Sequence, residues 1–74
     1  MSYTIAVMED VHGGQKLSFE KSGNEYVVHI YDEESDTYVS RYYPTIDAAY
    51  IAFEKISKAI ITGCYSFEQR KGFL

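Results

Sequence analysis

The sequence predicts an α+β domain: an antiparallel sheet of three to four strands packed by one main α-helix, with a short C-terminal helical turn. Three observations point to it. Residues 3–43 are filled by runs that alternate apolar and polar side chains, the signature of half-buried strands. After Pro44, apolar residues recur at spacings of four, three and four, the period of a helix. The length of 74 residues allows a single domain, 1–74, which buries about 60% of the surface its unfolded chain would expose.

Residues 3–8, Tyr-Thr-Ile-Ala-Val-Met, are the first expected strand, with Tyr3, Ile5 and Val7 on one face. Glu9 and Asp10 close it, and His12-Gly13-Gly14 follows as a turn, because paired glycines reach positive φ at no steric cost. Residues 16–20 alternate again, with Leu17 and Phe19 opposite Ser18 and Glu20. Lys21-Ser22-Gly23-Asn24 is a polar turn. Tyr26 to Tyr31 is rich in β-branched and aromatic residues and makes a third strand, Tyr26, Val28 and Ile30 on one side and Val27, His29 and Tyr31 on the other. The acidic run 32–36 turns the chain into a fourth strand over Thr37–Tyr43, which Pro44 ends because it cannot donate to a ladder.

The helix is expected over about 45–62. Thr45 serves as N-cap and Asp47 complements the dipole in the first turn. Ala49, Phe53, Ile56 and Ile60 form its apolar stripe, widened by Ala52 and Ala59, with Asp47, Glu54, Lys55, Ser57 and Lys58 on the polar side. Gly63 supplies the stop. Ser66 and Gln69 have capping-box spacing ahead of Gly72, so residues 66–72 form a last turn that Tyr65, Phe67 and Phe73 can tuck onto the domain.

Eight tyrosines and four phenylalanines exceed what so small an interior holds, which places some rings at the surface. The formal charge of −4 argues against nonspecific nucleic-acid binding, which rests on Lys and Arg displacing counterions, and favours a basic partner. Cys64 is the only cysteine, so no internal disulfide and no thiolate-rich metal site is expected, and a reducing cytoplasm is the expected compartment. The first fifteen residues lack the pattern of a signal peptide, and no run approaches the ~20 apolar residues of a membrane span.

Catalytic signals are missing. His12, His29 and Cys64 show no nucleophilic or metal-ligand spacing, and neither a phosphate-cradling glycine pattern nor a calcium-loop pattern occurs. Cys64 reads as a partly buried residue after the helix stop. The reading is therefore non-enzymatic, with no cofactor and no metal. The expected contact residues are Tyr31, Asp32, Glu33, Glu34, Asp36, Tyr38 and Tyr42, carboxylates for steering and tyrosines for packing. They suit an inhibitor that occludes the basic nucleic-acid-binding surface of another protein.

The segment Tyr43-Pro44-Thr45-Ile46-Asp47-Ala48-Ala49-Tyr50-Ile51-Ala52-Phe53 resembles the strand-to-helix junction of AP2-like DNA-binding domains. That resemblance implies a sheet followed by a helix and, as an alternative function, a sheet that enters DNA through Arg41, Lys16, Lys21, Arg70 and Lys71. The same element order is similar to the partial double-stranded-RNA-binding fold of HicB-type antitoxins. In overall character, small and acidic without a catalytic motif, the chain also resembles phage-encoded inhibitors of host defence such as anti-CRISPR proteins. A third possibility is a homo-oligomer that pairs an exposed strand or aromatic face with its own copy.

Overall fold

A computed structural model describes residues 2–74. Four strands run β1 (Ser2–Asp10), β2 (Gln15–Ser22), β3 (Glu25–Asp32) and β4 (Thr37–Tyr43), followed by helix α1 (Ile46–Thr62) and the short α2 (Phe67–Lys71). The strands form one antiparallel sheet in chain order, β1-β2-β3-β4. This is the expected α+β fold with four strands, and the first three strands run one or two residues further at each end than their alternation indicated. Helix α1 covers one face of the sheet, centred on β2 and β3.

The register decides which side chains meet the helix, since residues directly opposite in antiparallel strands share a face. Leu17 pairs with Ile30 and Phe19 with Val28, and all four are buried beneath Ala49, Ala52 and Ile56 of α1. Their burial is the main stabilising term, each side chain contributing roughly 1.5–3 kcal/mol. Tyr43 closes the core, its hydroxyl donating to the Leu74 main-chain oxygen at 2.8 Å.

Strand β1 departs from simple alternation. A bulge between Thr4 and Ala6 shifts the register, so Tyr3 opposes Lys21 on the helix side while Val7 opposes Ser18 on the other. Tyr3 and Val7 therefore lie on opposite faces, and Ala6 and Met8 make the contacts of β1 with the core. One extra residue reverses the pleat, and nothing in a period-two pattern marks where it is inserted.

Helix α1 begins and ends where its caps dictate. The Thr45 hydroxyl accepts from the Ala48 N–H, and Gly63 adopts φ 68° so that the Gly63 and Cys64 N–H groups reach the Ile60 and Ala59 carbonyls. Ser57, expected on the polar side, is buried instead, because the helix settles deep enough for its flank to be covered; its hydroxyl has no partner among the described residues. The capping box of Ser66 and Gln69 forms in both directions and starts α2, while Phe67, Phe73 and Leu74 pack on the core. Cys64, expected partly buried, is exposed, since the left-handed Gly63 turns the chain outward. Among the described residues no helix is long and apolar enough to cross a membrane.

Candidate functional site

The sheet face away from α1 is the candidate site. Register places Glu9 and Lys16, Val7 and Ser18, Glu20 and Val27, then His29, Tyr31, Tyr38, Ser40 and Tyr42 on this side. None of the helices crosses it. Tyr38 and Tyr42 stay 59% and 54% exposed, the state in which an aromatic ring can still bury area on a partner.

The β3–β4 connection is built from its side chains. The Asp32 carboxylate accepts from the Ser35 N–H at 3.2 Å and from the Ser35 hydroxyl at 2.6 Å, closing the turn. Asp36 takes φ 51°, a conformation that Asp tolerates better than most residues. The Tyr31 hydroxyl donates to Asp36 at 2.8 Å, which holds the ring and raises the tyrosine pKa, chiefly because ionising it would lose that hydrogen bond. The Tyr31 and Tyr38 rings lie 6.0 Å apart. Burial, then the Glu20 carboxylate, raises the pKa of Tyr38.

The seven residues singled out from sequence thus divide. Tyr31, Tyr38 and Tyr42 share the open face; Glu33, Glu34 and Asp36 are exposed in the tip beside it. Asp32 is on the helix side of the sheet, only 8% exposed, and acts on the turn. A carboxylate committed to its own hairpin cannot steer a partner. Glu33 and Glu34 make no side-chain hydrogen bond or ion pair among the described residues.

One cluster on this face had only a weak sequence signal. The His29 Nδ1 is within hydrogen-bond reach of the Ser40 hydroxyl, its Nε2 stands 3.6 Å from Glu20, and its ring lies 5.1 Å from that of Tyr38. Alternation put His29 beside Tyr31, but pairing across three strands was needed to bring in Ser40 and Glu20. The order serine, histidine, carboxylate is that of a nucleophilic relay, which also needs a substrate cleft and oxyanion donors. The three best-formed clefts lie at the hairpin and helix ends and none is lined by Ser40 or His29. Among the described residues no group of three His, Cys, Asp or Glu side chains is placed to hold a metal ion.

Apart from Lys16, the basic residues are sorted away from this surface. Lys21 and Arg41 lie on the helix side, Lys21 over the Tyr26 ring at 5.9 Å and Arg41 over that of Tyr43 at 5.5 Å. Lys71 pairs with Glu68. Arg70, read from sequence as part of a basic tail, is 3% exposed. Its guanidinium donates to Asp10 and Gln15 at 2.8 Å each and to the Cys64 and Ala59 carbonyls at 3.0 and 3.3 Å. It joins α2, the end of α1 and the first hairpin. Of the five residues suggested by the AP2-like resemblance, Lys16 alone is on the open sheet face, at 3.6 Å from Glu9. Comparison of the chain with protein-family models, characterised proteins and solved structures finds no match.

Proposed function

We propose that this chain is a non-enzymatic protein-binding module of the cytoplasm, an acidic inhibitor that lays its open sheet face and its β3–β4 tip on the basic nucleic-acid-binding surface of another protein. The observation that carries this reading is the sorting of charge and rings between the two sides of the sheet. Tyr31, Tyr38 and Tyr42 stand with Glu9, Glu20, Glu33, Glu34 and Asp36, against the single cation of Lys16. Unpaired carboxylates at the rim raise the rate of encounter with a basic surface. The tyrosines then supply contact area at small entropic cost. A polyanion such as nucleic acid is repelled by the same face.

The test compares the wild-type chain with the Glu33→Lys/Glu34→Lys variant as bait in a lysate, followed by displacement of labelled nucleic acid from the protein retained. The expected result is a basic protein held by the wild type alone, which releases its nucleic acid when the chain is added. Equal retention by the variant overturns the proposal. So does direct binding of a labelled duplex to the chain with an affinity that falls steeply with salt, the behaviour of a DNA-binding domain.

A further inference from the structure

Beside the tyrosines the open face runs into a cleft of about 400 Å³ between the two hairpin tips, walled by Glu9, Val11, Gly14, Lys16, Tyr31 and Glu33. We propose that this cleft receives an arginine side chain of the basic partner, a reading that deepens the protein-binding function and rests on it. The main chain at Glu33 and the ring of Tyr31 are held in place before any partner arrives. The Glu33 N–H donates to the Gly14 carbonyl at 2.8 Å, tying one tip to the other, and the bond from Tyr31 to Asp36 fixes the ring. Pre-organisation of this kind lowers the entropy lost on binding.

The chemistry of the lining selects the ligand. Two carboxylates, Glu9 and Glu33, line the cleft together with the Tyr31 ring, Lys16 standing between Glu9 and that ring in the sheet, and a planar guanidinium meets a carboxylate and the ring at once, forking onto the one while its face stacks on the other. A lysine ammonium is compact and strongly hydrated and does neither as well. Asp10 at the back of the cleft is committed to Arg70 and to the Gly13 N–H, so it does not compete. Lys16 is the one internal cation, and its exposed pairing with Glu9 at 3.6 Å is of the weak, salt-screened kind that a better partner displaces. The fold makes the same type of contact within itself, where Arg41 stacks over Tyr43. A divalent cation is a poorer fit, since the described carboxylates do not converge in threes.

Fluorescence anisotropy with a labelled hexa-arginine peptide and a hexa-lysine peptide of equal charge tests the assignment. Arginine is expected to bind about tenfold tighter, the worth of one stacked and forked contact. Tyr31→Leu and Glu33→Gln should each erase that preference, and Lys16→Met should strengthen arginine binding. Glu33 is exposed, so Glu33→Gln leaves the fold intact and keeps the test interpretable if Tyr31→Leu unfolds. Equal affinity for the two peptides, no binding of either, or a preference that survives Glu33→Gln overturns the inference. If Glu33→Lys/Glu34→Lys abolishes partner retention while the peptides bind equally, the protein-binding reading stands and the arginine assignment alone falls.

Discussion

Arg70 and Asp10 lie sixty positions apart in sequence and 2.8 Å apart in space. Four acceptors satisfy the guanidinium, so its burial is compensated, and removing it leaves Asp10 and Gln15 facing a void. Arg70→Ala is expected to cost about 3–5 kcal/mol, the usual penalty for breaking a buried pair. Against a total stability of about 5–15 kcal/mol, urea denaturation followed by circular dichroism should show a large loss. The hydrogen bond from Arg70, then that from the Gly13 N–H, holds the Asp10 pKa below its ordinary 3.8. A carboxylate with a lowered folded-state pKa stabilises the fold above its unfolded value, and that contribution is lost as pH falls through the folded value. Thermal melts should therefore show a steeper loss below about pH 4 for wild type than for Asp10→Asn, with the two curves converging in acid. The burial of Arg70 was not legible because a charged side chain in a basic tail carries no local mark of where its acceptors will be.

At the scale of elements, local chemistry explains the boundaries well. Pro44, Thr45, Asp47 and Gly63 delimit α1 within a residue of where cap and breaker rules put it, because each acts on backbone groups a few positions away. Gly63 sits at φ 68°, and a Cβ there would meet only open space. Gly63→Ala should thus act through backbone strain alone, costing about 1–2 kcal/mol, and lower Tm by several degrees in differential scanning calorimetry. The Glu54–Lys58 pair forms at 3.1 Å as its spacing required. The β1 bulge and the burial of Ser57 were illegible. Both depend on how one element settles on another, which a periodic pattern does not encode. At the β3–β4 tip, the turn and its acidic character were readable, whereas the inward orientation of Asp32 follows from its register opposite Gln15, where its carboxylate takes the Ser35 hydrogen bonds.

The whole molecule is two-sided, with a radius of gyration of 11.5 Å, as expected for a compact chain of this length. Its apolar side is covered by α1 and carries most of the basic residues; its open side carries tyrosines and carboxylates. The sheet also has a vulnerable edge. β1 has no charged residue from Ser2 to Met8, and Tyr3, Ile5 and Val7 are exposed on it. Uncharged edges of this kind template pairing with another chain. Val7→Glu should raise the concentration at which light scattering first detects association, without changing stability by more than about 0.5 kcal/mol. An association unaffected by that change would place self-contact elsewhere.

Sequence alone determined the element types, their order and most of their ends, because alternation, caps and breakers are short-range properties of the chain. It also determined that acid and tyrosine would be concentrated around residues 31–42. Only the tertiary structure decided that Tyr31, Tyr38 and Tyr42 share one uncovered face, that Asp32 turns inward and that Arg70 is interior. It also joined Glu9 to Tyr31 and Glu33 across a cleft. Those outcomes are set by strand register and by the docking of α1 and α2, where one inserted residue in β1 is enough to exchange the two faces of a strand.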